Sequence, residues 1–250
     1  MSADPHADEY RRALVDYAGG YLRNTLWSSP ITCTYCAGIP GSPEHATCYP
    51  CGWQYQATSE TSDRRGFVTY AWPGSQSEAV MYGYKERTPN PQATRVVRLM
   101  LGYALYRHFR CTADPTHGTP TMWATVPSLK QRGHPQALHE FAASLLKNMP
   151  EAPVAPSADV RNPRTYRPEN FAVTTDVTNA HILLLDDTWV SGAHAESTSA
   201  ALKRAGAASV TVLVLARWLD TARGVTGDFI KTELRDDFEP DRCPFGDGCV

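Results

Sequence analysis

A chain of 250 residues, 42% hydrophobic and 20% charged, has the make-up of an ordinary globular protein: one full core and room for a small attachment. No apolar run approaches the roughly 20 residues that span a bilayer, so membrane insertion is excluded as an expectation. The formal net charge of −2 hides an uneven spread. Lys85 to Arg132 holds eight basic residues against two acids, whereas 220–250 holds four basic against eight acidic. A basic middle suits an anionic ligand, phosphate or nucleic acid. It also suits a helix whose solvent face carries Arg95, Arg98, Arg107 and Arg110.

The opening MSADPHADEYRR is acidic and polar, unlike a secretory signal, which predicts a cytoplasmic location. Tyr10, Leu14, Tyr17, Tyr21 and Leu22 then recur at helical spacing. Four of the seven cysteines follow within 19 consecutive residues, as Cys33-x2-Cys36 and Cys48-x2-Cys51 separated by 11 residues. Each CxxC knuckle presents two thiolates to one ion, and four soft sulfurs in a tetrahedral array favour zinc. With all four positions filled by protein the site would be structural, and His45 reads as a loop residue. An odd cysteine count argues against a disulfide scaffold. Cys111 reads as a small buried residue, and Cys243 and Cys249 as tail residues, with a redox pair as their alternative.

Residues 56–66 are polar and read as a linker before the strand-like FVTYAW. Val96, Val97, Met100, Leu101, Ala104, Leu105 and Phe109 share one face of a helix over Pro91 to Arg110. TMWATVP reads as a strand and PQALHEFAASLLKNM as the helix after it. Residues 150–170, rich in Pro and Arg, read as a long mobile loop. HILLLDD is an apolar strand, HAESTSAALKRAGA a helix closed by Gly206, and SVTVLVLA another apolar strand. The tail after Leu219 shows no clear periodicity. Apolar strands alternating with helices predict an α/β fold with a parallel sheet covered on both faces. The expected organisation is a helix and cysteine module at 1–60, an α/β domain at 61–220 and an acidic tail at 221–250.

The strongest signal is HILLLDDTWVSGAHAES, residues 181–197. A buried parallel strand delivers Asp186 and Asp187 to the carboxyl edge of the sheet, where open α/β folds bind ligands. Gly192 allows close backbone approach, and a helix N-terminus with Thr188 and Ser191 hydroxyls favours phosphate. The two carboxylates would repel phosphate but accept protons from vicinal sugar hydroxyls. A ribose 5-phosphate satisfies both halves.

Apolar strand, Asp-Asp, a short variable stretch, Ser/Thr-Gly and a helix resembles the signature by which type I phosphoribosyltransferases bind 5-phosphoribosyl-1-pyrophosphate (PRPP). The resemblance implies that Asp186 and Asp187 hold the ribose hydroxyls. It assigns the 5′-phosphate to the loop of Thr188, Val190, Ser191, Gly192, Ala193 and His194. Two positions depart from the pattern: His194 stands where Ser or Thr is usual, and Val190 where purine-base transferases often carry an acid. The order of four-cysteine module, MYGYKER, VPSLKQRGHPQ, an Arg-rich stretch and the Asp-Asp loop is similar to the ComF-like competence proteins, although His134 and Pro135 replace an aromatic and Asn. What this resemblance implies is a type I phosphoribosyltransferase fold behind a zinc-ribbon-like module. Ser128, Leu129, Lys130 and Arg132 would take pyrophosphate with magnesium, and Arg164 and Arg167 would sit on a flexible catalytic loop.

Two functions are expected to compete. One is transfer of a phosphoribosyl group from PRPP to a nitrogen acceptor with release of pyrophosphate. The other is a non-catalytic ComF-like adaptor or a sensor of PRPP or nucleotides. Its partners would be single-stranded DNA or a DNA-uptake protein. The sequence does not name the acceptor or the oligomeric state.

Overall fold

The computed structural model describes residues 5–55, 58–129 and 136–246. The chain divides into two compact units: Met1–Tyr49, Gly66–Cys111 and Leu215–Val250 form one, and Pro50–Arg65 and Thr112–Val214 the other. Strands β1 (Arg64–Ala71), β2 (Met122–Thr125), β5 (His181–Trp189) and β6 (Ser209–Trp218) form a four-stranded sheet in the order β1-β6-β5-β2. β2 and β5 run parallel, Met122 opposite Ile182 and Thr125 opposite Leu185. At β1 and β6, Asp63 N donates to Val210 O and Leu219 N to Ala71 O, so that pair is parallel too. Ile182 to Leu185 and Val210 to Ala216 are all buried, as strands covered on both faces must be. The expected α/β class with a parallel sheet is therefore observed.

In the first unit, α1 (Pro5–Leu14) and α3 (Pro91–His108) pack together, and α2 (Gln76–Gly83) leads into α3. Ser75 caps α2 by accepting from Glu78 N, and Asn90 caps α3 by accepting from Ala93 N at 3.0 Å. Pro91 then occupies the first turn, where its missing N–H costs nothing. Arg95, Arg98, Arg107 and Arg110 are all exposed, as expected of a solvent face. Arg95 lies over the Tyr17 ring at 4.1 Å, and Arg107 pairs with Asp241 at 3.1 Å.

Asp241 gathers the tail onto these helices. It accepts from Arg11 and Tyr103, both at 2.7 Å, as well as from Arg107. Burial alone would raise its pKa, but the bonds from Tyr103, Arg11 and Arg107 outweigh burial and hold the carboxyl below the usual range. The tail itself departs from expectation, since Gly224–Glu233 forms helix α6. Its buried face is only Thr226 and Phe229, too narrow a stripe to read as periodicity. Phe229 meets Tyr70 edge to face at 5.7 Å, beside Leu219 and Leu234. Cys111 and Cys243 also differ from expectation: they pair as a disulfide, tying the end of α3 to the tail.

In the second unit, α4 (Ala137–Leu145) and α5 (Ala193–Arg204) flank β5. The Pro/Arg-rich segment is more ordered than expected. β3 (Val154–Pro156) and β4 (Phe171–Val173) pair antiparallel around it. Asn170 clamps the turn, its side chain accepting from Arg161 N at 2.9 Å and donating to Arg161 O at 2.8 Å. The polar stretch expected to be a linker is likewise anchored over its described part, residues 58–65. Ser62 N and Oγ both donate to the fully buried carboxylate of Glu196, at 2.7 and 2.9 Å. Lys203 reaches Asp63 at 2.7 Å, and Arg204 bridges Glu60 and Glu169.

His181 opens β5 as a buried imidazole, its Nδ1–H donating to Gly118 O at 2.8 Å and its Nε2 2.9 Å from the Thr211 hydroxyl. Burial lowers its pKa, so the folded state favours the neutral ring. Unfolding then takes up a proton below the unfolded value of about 6.5, and stability falls as pH drops from there. The melting temperature is therefore expected to decline between about pH 7 and pH 5. A thermal-melt series should show a shallower decline in His181→Gln; an unchanged slope would remove His181 as the cause.

Candidate functional site

β5 carries the acidic pair at its carboxyl end. Asp186, Asp187 and Thr188 are half-buried, directly after the buried run that ends at Leu185. Asp186 Oδ1 accepts from Asp187 N at 2.9 Å, which fixes the first carboxylate. Val126 N donates to Leu185 O at 2.9 Å, carrying the β2–β5 pairing one residue further. Ser128 and Leu129 thus leave the sheet beside the strand end that carries Asp186. Gln136 Nε2 returns to Val126 O at 2.9 Å and closes this loop from its far side. Lys130 and Arg132, the expected pyrophosphate ligands, lie outside the described residues, as do His134 and Pro135.

The turn from β5 into α5 is built around Gly192, whose φ of +86° is left-handed. A Cβ there would lie 2.2 Å from the buried Trp189 ring, so both conformation and space demand glycine. Gly192→Ala is expected to destabilise the protein by about 2–4 kcal/mol, from backbone strain plus overlap. A denaturation curve checks this, and a change under about 0.5 kcal/mol would refute the constraint. The N-cap of α5 is Gly192, which has no side chain to offer, and Ser191 Oγ accepts from Ala193 N at 3.4 Å; Val190 stands 61% exposed at the tip. The Thr188 hydroxyl is buried with no hydrogen-bond partner among the described residues. A buried hydroxyl without a partner costs about 1–3 kcal/mol, which an acceptor oxygen docked in this loop would offset.

Two neighbours hold the loop. Tyr55, at the end of the turn Cys51–Tyr55, donates its hydroxyl to Ser191 O at 2.9 Å. Its ring meets Trp189 and Tyr166 edge-on, at 6.5 and 5.9 Å. The Pro/Arg segment reaches the first turns of α5. His194 Nε2–H donates to Pro163 O, the His194 ring packs on Phe171, and Arg167 N donates to Ser197 Oγ at 2.6 Å. Arg164 is exposed and Arg167 half-buried on this segment. Asp186 to His194, the start of the 126–136 loop and the arginine segment are thus brought to one end of the second unit. The His194 ring is engaged by the arginine segment, although its backbone remains in the first turn of α5. Tyr55 had one sequence signal, an aromatic four residues after a metal-knuckle cysteine, and that spacing alone does not reveal its target.

The cysteine centre is compact. The sulfurs of Cys33, Cys36, Cys48 and Cys51 all lie within 4.8 Å of one another, and all four residues are buried. Cys36 and Cys48 sulfurs are 3.6 Å apart, close to the about 3.8 Å that tetrahedral zinc with bonds near 2.3 Å imposes. Tyr35 N donates to Cys33 Sγ at 3.4 Å, and Arg217 Nη2 to Cys36 Sγ at 3.3 Å. Arg217 also donates from Nε to Cys36 O at 2.9 Å, so a buried guanidinium faces the Cys36 sulfur. A Cβ at Gly38 would sit 2.0 Å from that guanidinium, which explains the glycine. His45 is exposed and stands outside the group. The four cysteines could hold a structural zinc, and the donor set fits one. Among the described residues no helix is long and apolar enough to cross a membrane.

No family model and no curated protein matches this chain significantly. Its function has to be argued from these two sites.

Proposed function

We propose that this chain is a PRPP-binding protein of the type I phosphoribosyltransferase fold with a structural zinc in its four-cysteine module. One observation carries the reading: two half-buried carboxylates and a Thr188 hydroxyl with no hydrogen-bond partner among the described residues run directly into a helix N-terminus whose N-cap is a glycine. Carboxylates suit vicinal hydroxyls, and helix N-terminal amides with a hydroxyl suit phosphate; a ribose 5-phosphate joins those demands. Asp186 and Asp187 accept the 2′- and 3′-hydroxyl protons. The amides from Ser191 to His194, with the Thr188 hydroxyl, hold the 5′-phosphate. The loop from Ser128 onward, with Lys130 and Arg132, takes the diphosphate, whose charge magnesium neutralises when bound.

In the reaction so proposed, a nitrogen acceptor displaces pyrophosphate from C1 of the ribose. The chain contributes positioning and charge rather than covalent chemistry. Arg164 and Arg167 bring positive charge toward the departing diphosphate. Val190 cannot transfer a proton, so acceptor activation by a carboxylate at that position is ruled out of this scheme. The test is calorimetric titration of PRPP with magnesium, followed by a pyrophosphate assay with a panel of amines and nucleobases. Micromolar binding with acceptor-dependent pyrophosphate release supports the transferase. Binding without release under every acceptor supports a sensor, and absence of binding by a folded, zinc-loaded protein rejects the reading.

A further inference from the structure

Outside the four-cysteine centre, one more group of soft ligands converges among the described residues. His108 at the end of α3, Cys111 three residues later and Cys243 of the tail bring one ligand atom each to within 4.8 Å of one another. His108 is 3% and Cys111 8% exposed, and Cys243 is half-buried. We propose that His108, Cys111 and Cys243 form a second zinc site in the reduced protein, closed when the two cysteines oxidise to the disulfide seen here.

Three observations carry this. First, a backbone amide two residues on approaches the Cys243 sulfur as one approaches the Cys33 sulfur of the first centre. Phe245 N donates to Cys243 Sγ at 3.4 Å just as Tyr35 N donates to Cys33 Sγ at 3.4 Å. An amide aimed at a sulfur two residues back stabilises a thiolate, a metal-ligand feature that a plain buried thiol does not need. Second, the His108 Nε2–H donates to Pro240 O at 3.1 Å, a backbone hydrogen bond of the kind that orients a ligating imidazole. Third, the His-x2-Cys spacing of His108 and Cys111 lets two ligands from one segment meet one ion, as a CxxC knuckle does. Two thiolates and an imidazole are a donor set that zinc prefers over magnesium or calcium.

The redox step balances with ordinary reagents. A dithiol reduces the Cys111–Cys243 bond by exchange: the protein gains two electrons and two protons, and the dithiol becomes a disulfide. Zinc then displaces the two thiol protons. In reverse, hydrogen peroxide takes two electrons from the thiolates and two protons from solvent, giving two waters, the protein disulfide and the released ion. The ion and the S–S bond compete for the same two sulfurs, so they exclude each other.

The test uses the full chain, reduced by a dithiol under argon, loaded with zinc and desalted. About two zinc ions per chain are expected in the reduced protein and about one after titration with peroxide, released zinc being followed with a coloured chelator. His108→Ala, Cys111→Ser and Cys243→Ser should each hold about one zinc when reduced, with none released by the same peroxide dose. Cobalt substitution of the wild type, read by its thiolate charge-transfer bands, counts the sites without any variant. One metal per chain in the reduced wild type, by both zinc and cobalt, overturns the proposal. So does a second metal that all three variants retain.

Discussion

Replacing Asp186 and Asp187 together by asparagine is expected to weaken PRPP binding by more than about 100-fold, with zinc content and melting temperature nearly unchanged. Each carboxylate that accepts a sugar hydroxyl contributes about 1.5–3 kcal/mol, so losing both costs about 3–6 kcal/mol. At about 1.4 kcal/mol per decade that is two to four orders of magnitude in affinity. The fold should tolerate the change, because an asparagine carbonyl at 186 still accepts the amide of residue 187, as Asp186 Oδ1 does at 2.9 Å. Calorimetry of the double variant beside wild type decides it. Affinity within about threefold of wild type would mean that the acids do not contact the ligand, and the ribose assignment would fall.

The second large effect is metal loss at the four-cysteine centre. Cys48→Ser is expected to abolish zinc binding there and to cost about 4 kcal/mol or more, because structural zinc supplies folding energy directly. For a chain of this length that corresponds to a drop of about 10 °C in melting temperature. Arg217 sharpens the expectation, since its buried guanidinium faces Cys36 Sγ at 3.3 Å and needs the negative charge of the bound thiolates. Differential scanning calorimetry with metal analysis reads both quantities. A variant that melts with wild type while lacking the ion would show that the module folds without it.

How much of this could be read beforehand depended on range along the chain. The run from Ile182 to Gly192 was legible because its strand, turn and helix are consecutive, and local periodicity with one glycine describes them. The cysteine pairs were legible because metal geometry imposes a spacing. Tyr55, Glu196 and Arg217 were not, because each acts on a partner more than a hundred residues away. Glu196 and Arg217 also look like surface residues by composition, and only the folded chain shows them buried and satisfied. Helix α6 escaped for another reason, its thin apolar face and the two glycines at 224 and 227. The pairing of Cys111 with Cys243 joins distant segments, which no local pattern encodes.

The bond from Ser62 to Glu196 bears on how the chain can be cut. By composition, residues 58–65 invite a protease or a truncation boundary, being rich in serine, threonine and charge. Yet Ser62 supplies two of the donors that keep a fully buried carboxylate in α5 satisfied. Limited proteolysis of the folded protein should therefore spare this stretch. A fragment begun at Gly66 would strip the fully buried Glu196 carboxylate of both Ser62 donors and of the Arg65 guanidinium 3.8 Å away, at a cost of about 3–5 kcal/mol, and should be recovered aggregated rather than folded. Helix α5 thus goes with the residues that precede β1, and any minimal fragment has to begin upstream of Ser62.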